Sequence, residues 1–87
     1  AADVFFLGVT GIDPAHGLTT GDLDDAVTKR AIAARCAQTF VLGSEEKIGS
    51  VSRFPVLDLD AVAGVVVDPH DTAPVVDALA ERAPVLH

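Results

Sequence analysis

The chain has 87 residues, 49% of them hydrophobic, with a formal net charge of −7 and a sequence pI near 4.5. That length folds into one small domain or part of one, and the acidity argues against direct contact with nucleic acid, because phosphate contacts need clustered Lys and Arg. The apolar runs are far shorter than the roughly 20 residues of a membrane-spanning helix, which argues against a membrane partner. The lone Cys36, with no internal disulfide possible, fits a reducing, cytoplasmic compartment.

Four aromatic residues, all Phe, leave the core to Val, Leu, Ile and Ala. Met is absent and the chain starts two residues before its first predicted strand, so a fragment of a longer protein is expected. That strand is Asp3-Val4-Phe5-Phe6-Leu7, an uninterrupted apolar run of the kind covered on both faces in a parallel sheet flanked by helices. It empties into a loop carrying Gly8, Gly11 and Gly17. Glycines there either turn the chain or let a ligand approach the main chain closely. Ligands of open α/β sheets collect at the carboxyl ends of strands, which places the expected function at this loop. The spacing is neither GxGxxG nor a Walker loop, so no nucleotide is implied.

Ile12-Asp13-Pro14-Ala15-His16-Gly17 reads as a turn that reverses the chain, with Asp13 accepting local backbone hydrogen bonds and Pro14 presetting its own φ. Thr19 and Asp22 stand at capping-box-like spacing before a helix predicted to run to about Gln38, with Asp22, Asp24 and Asp25 at its positive end. Leu23, Val27, Arg30/Ala31 and Ala34 share one helical face, the expected apolar side. Ala26, Ala33 and Ala37 supply small surfaces for close packing. Phe40-Val41-Leu42-Gly43 is the second buried strand, followed by the polar loop Ser44-Glu45-Glu46-Lys47-Ile48-Gly49-Ser50.

Phe54-Pro55-Val56-Leu57 is a short extended piece that Pro55 confines to an edge or a strand start. A helical turn between Asp58 and Ala63 leads to a third strand, Gly64-Val65-Val66-Val67-Asp68. Asp71 is a candidate N-cap for a helix from Thr72 to Arg82, with Val75, Val76, Leu79 and Ala83 on its apolar side and Pro84 as its stop. Val85-Leu86 adds a possible last strand. The order predicts an α/β fold with a mostly parallel, helix-covered sheet.

His16, His70 and His87 stand in separate segments without a metal-ligand spacing, and neither Ser44 nor Cys36 sits in a nucleophile elbow. No metal or cofactor is expected. Lys47, in the second strand-end loop, either is solvated or points its ammonium at the crevice beside Gly8 and Gly11. Lys29 and Arg30 are expected to pair with Asp25 or Asp22, Arg30 having the alternative of reaching the first loop.

Four ordered motifs, Asp3 to Asp13, Gly17-Leu18-Thr19-Thr20, Lys29-Arg30 and Lys47-Ile48-Gly49, resemble the C-terminal effector-sensing domain of DeoR-family bacterial transcriptional regulators. The resemblance spans nearly the whole chain and is weaker after Val67. It implies a fold related to ribose-5-phosphate isomerase and CoA transferases, a phosphorylated sugar or related metabolite as effector, and an oligomer. It also implies that DNA is bound by an N-terminal winged helix-turn-helix outside this sequence. Residues 1–87 would then be the C-terminal half of the sensor domain, with about half of the effector pocket. The residues expected to contact effector are Gly8, Thr10, Gly11, Asp13 and Lys47. One departure stands out: the family commonly has Asp-Ser-Ser-Lys where this chain has Ser44-Glu45-Glu46-Lys47.

Related phosphopentose isomerases carry carboxylates in the loop that here reads Leu7-Gly8-Val9-Thr10-Gly11. Without an acid there, proton transfer has no obvious agent, so a binder is expected and not an enzyme. The alternatives are a fragment of a sugar-phosphate isomerase or deaminase, and an oligomerisation module without a ligand.

Overall fold

The computed structural model describes residues 3–44, 46–68 and 74–86. Two sheets are present among the described residues. Sheet A is parallel throughout and has the order β1 (Val4–Leu7), β4 (Gln38–Gly43), β6 (Gly64–Val67), β7 (Val85–Leu86). Sheet B is antiparallel, in the order β2 (Gly11–Asp13), β3 (Gly17–Thr20), β5 (Phe54–Leu57). Helix α1 (Leu23–Arg35) precedes β4, a 3-10 turn covers Leu59–Ala61, and α2 (Pro74–Ala80) precedes β7.

The parallel sheet and its three main strands follow the apolar, β-branched runs, as expected. The antiparallel sheet was not expected. Gly11–Asp13 and Gly17–Thr20 zip into a hairpin about the Asp13 turn, and Pro55 sits on the edge strand β5, where its missing amide costs no ladder bond.

Alternate residues separate the two faces of sheet A. Leu7, Thr39, Val41, Val65 and Val67 are buried on one face, and Leu7, Val41 and Val65 are wholly inaccessible. The register puts Val4, Phe6, Phe40, Leu42, Val66 and Leu86 on the other, where Phe6 is 62% exposed. The first strand is therefore covered on one side only, contrary to the expectation from its run of apolar residues. The cause is topological. Sheet A is filled in one direction, from β1 to β7, and right-handed crossovers made in one direction all lie on the same face.

The helix α1 is capped by Asp22, whose carboxylate accepts from the Asp24 and Asp25 amides, and it ends at Arg35, three residues short of the expected Gln38. Its faces are also the reverse of expectation. Leu23 and Val27 are about half exposed, with Arg30, Ala31 and Ala34 exposed on the same side. Ala26 is fully buried, and Lys29, Ala33 and Cys36 are partly so, against β3 and β5. Of the small side chains named for close packing, Ala26 and Ala33 lie on the inner face, because a helix lying on a hairpin must approach its backbone closely, whereas Ala37 falls beyond the helix and is exposed. In α2, Val76 and Leu79 are buried, as is Ala83 beyond it. The expected cap Asp71 and helix start Thr72, like His70 and His87, lie outside the described residues.

Candidate functional site

The strands β1 and β4 are parallel neighbours, so their carboxyl ends open side by side. The first exit is Gly8-Val9-Thr10, which leads into β2. The second, starting at Ser44, is held against β2 by a parallel bridge between Ile12 and Ile48. The Ile12 amide donates to the Lys47 carbonyl at 2.9 Å and the Gly49 amide donates to the Ile12 carbonyl at 2.7 Å. Gly49, at φ +88°, takes the left-handed conformation that closes this turn. The far end of the expected Gly8–Gly11 loop thus meets the Lys47 turn, at Gly11 and Ile12.

Each expected residue has an identifiable setting. Gly8 is half-buried, with open space where a Cβ would stand. Val9 turns inward and is 2% exposed, leaving Thr10 outside. The Thr10 hydroxyl lies 2.5 Å from the Ser52 hydroxyl, while the Ser52 amide donates to Thr19 Oγ1 at 2.8 Å. Gly11 is buried, and a Cβ there would stand 2.5 Å from both the Ser50 carbonyl oxygen and Thr19 Oγ1, so its lack of a side chain serves close backbone packing.

Asp13 is engaged within its own turn. One carboxylate oxygen, Oδ2, accepts from the Ala15 and His16 amides and lies 2.9 Å from His16 Nδ1. These contacts, the His16 ring first, hold the Asp13 carboxyl below its ordinary value of 3.8. Arg82 donates to the Pro14 carbonyl at 2.6 Å and fastens the same turn to the end of α2.

Lys47 is half-buried. Its neighbour Glu46 has its carboxyl held low by its own backbone amide first, then by the Ser44 hydroxyl, with the Lys47 charge adding to them. This loop therefore carries a carboxylate beside Ser44 and Lys47.

The residue missed as a loop contact is Lys29. Its expected pair with Asp25 is present at 2.8 Å, and its ammonium also donates to the Gly8 carbonyl. Asp25 in turn accepts from Thr20 Oγ1 at 2.9 Å, and Lys29 followed by Thr20 keeps its carboxyl below the ordinary value. Arg30, the alternative candidate for reaching the loop, instead lines an open groove of about 510 Å³ with Cys36, Gln38 and Thr39. That groove lies at the amino end of β4, away from the strand exits. A signal for Lys29 was available: it stands one and two turns beyond Asp25 and Asp22 but on the side of Ala26 and Ala33, the side that packs.

Among the described residues there is no cluster of three or more side chains suited to a metal ion, and no helix long and apolar enough to cross a membrane. The family model described as the DeoR C terminal sensor domain matches residues 1–69. The chain belongs to this family. No curated protein matches it. As a DeoR sensor domain it is a regulatory, effector-sensing part of a transcriptional regulator, and the matched span contains every residue of both strand-exit loops. The resemblance drawn from the four motifs and the α/β fold with a parallel sheet both hold.

Proposed function

We propose that this DeoR sensor domain binds a phosphorylated sugar or related metabolite where β1 and β4 end, and that binding controls a winged helix-turn-helix carried elsewhere in the regulator. The carrying observation is the alignment of the two exit loops through the Ile12 and Ile48 bridge, which sets an acid-free, glycine-containing turn beside one that bears Lys47. Gly8 and Gly11 give main-chain access, Thr10 a hydroxyl, Lys47 a positive charge, and Asp13 fixes the loop's exit through its turn. The regulator acts as a cytoplasmic homo-oligomer in this reading. Effector shifts its balance between two conformations by differential affinity, typically worth about 1–3 kcal/mol.

Calorimetric titration with a panel of sugar phosphates tests this. Saturable binding of at least one, without turnover, is expected. Gly8→Ala should weaken that binding with little change in melting temperature, since no atom crowds its Cβ position. No heat across the panel would favour a module without a ligand, and turnover of a sugar phosphate lost on changing Lys47 or Asp13 would favour an isomerase or deaminase.

A further inference from the structure

We propose that Lys29 is the group that reads the effector's anionic end: its ammonium, seated by Asp25 and the Gly8 carbonyl, donates its remaining proton to a phosphoryl oxygen docked at the exit of β1. This rests on the reading of the strand exits as an effector site, and it names which of that site's cations recognises the anion.

A lysine ammonium has three protons and no acceptor. Two are committed here, one to Asp25 Oδ2 at 2.8 Å and one to the Gly8 carbonyl. The third is unspent in any contact among the described residues. The stem of Lys29 is partly covered, with 23% of its side chain exposed, so the charged end is held in place instead of sweeping through solvent. Asp25 is itself fixed by Thr20, a residue 3% exposed, so the seat of the ammonium is anchored in β3. A cation fixed before the ligand arrives loses less conformational freedom on binding than a solvated one.

Position makes the case specific. The carbonyl that Lys29 holds belongs to the first residue beyond β1, where the chain leaves the sheet. No other cation makes a hydrogen bond or ion pair to Gly8, Val9 or Thr10 among the described residues. Arg30, its neighbour on α1, lines the groove at the amino end of β4 instead. Lys47, alongside Ile12, is left to the ligand's hydroxyl-bearing portion.

Lys29 lies on α1 and Lys47 in the turn after β4, so substitution at one position separates the two roles. The tightest sugar phosphate of a panel is titrated beside its dephosphorylated sugar into wild type, Lys29→Gln and Lys29→Arg. Lys29→Gln is expected to weaken the phosphorylated ligand about tenfold or more while leaving the plain sugar unchanged, and Lys29→Arg to restore part of the preference. A purely structural lysine would weaken both ligands alike, and an unchanged ratio in Lys29→Gln overturns the proposal. If no sugar phosphate binds wild type, the effector reading itself fails, which is a different result. Should Lys29→Gln not fold, the ¹⁵Nζ and ¹³Cε resonances of wild-type protein carrying isotope-labelled lysine supply the readout with every ammonium proton in place. The Lys29 signal is expected to shift with the phosphorylated ligand and not with the plain sugar, and movement of the Lys47 signal alone overturns the assignment.

Discussion

Asp13, expected to contact effector, also builds its own turn. Its Oδ2 takes two amides and the His16 ring, the pattern by which an aspartate builds a turn. The sequence made the turn legible, since Asp-Pro with a following glycine has few other uses, but it could not say that one oxygen of the carboxylate would take two amides and the His16 ring. A carboxyl held below its ordinary value contributes stability that is complete above the unfolded value and is lost as pH falls through the folded one. Asp13→Asn keeps an oxygen for the amides and removes the charge. Wild type should therefore melt higher than Asp13→Asn at pH 5, and the gap should close as pH falls below about 4. Thermal melts of the two proteins across that range check this, and because the other acids titrate in both, the difference isolates Asp13. A gap that is absent at pH 5, or that widens as the pH falls through the carboxylate range, would deny the carboxylate this role.

Among the elements, those built on long apolar periodicity were readable and those built on short polar segments were not. Val65-Val66-Val67 and Phe40-Val41-Leu42 announce strands. Gly17-Leu18-Thr19-Thr20 does not, because its buried threonines are satisfied through hydroxyl contacts to Ser52 and Asp25, which no local pattern reveals. The helix α1 was read in the right place with the wrong side inward, since hydrophobicity favours Leu23 and Val27 whereas geometry favours Ala26. The same reversal hid Lys29. A direct comparison follows: Ala26→Leu should cost about 1–3 kcal/mol by overpacking against β3 and β5, whereas Val27→Ala, on the exposed face, should stay within about 0.5 kcal/mol of wild type. Urea unfolding of the two variants decides between the faces, and equal losses would contradict this orientation of the helix.

At the scale of the whole molecule, the one-way filling of sheet A accounts both for the site and for the uncovered face. Adjacent parallel strands with crossovers on one side bring the exits of β1 and β4 together, and the Lys47 turn pairs with Ile12 just beyond the first of them. The same order leaves Val4, Phe6, Leu42 and Leu86 in solvent, each more than 40% exposed. Parallel sheets are ordinarily covered on both faces, and the uninterrupted run in β1 carries that signature even though this chain covers only one. Phe6 is the most exposed of the four and stacks on Phe40 with ring centroids 6.0 Å apart. Phe6→Ser should therefore cost about 1 kcal/mol or less, the scale of an exposed strand substitution. Leu7→Ala, one residue on and facing the core, should cost about 2–5 kcal/mol. Chemical denaturation measures both, and fluorescence of a dye specific for apolar surface should fall in Phe6→Ser while its circular dichroism is retained. A collapse of the fold in Phe6→Ser, or an undiminished dye signal, would mean that this face is not the open apolar surface that the strand order dictates.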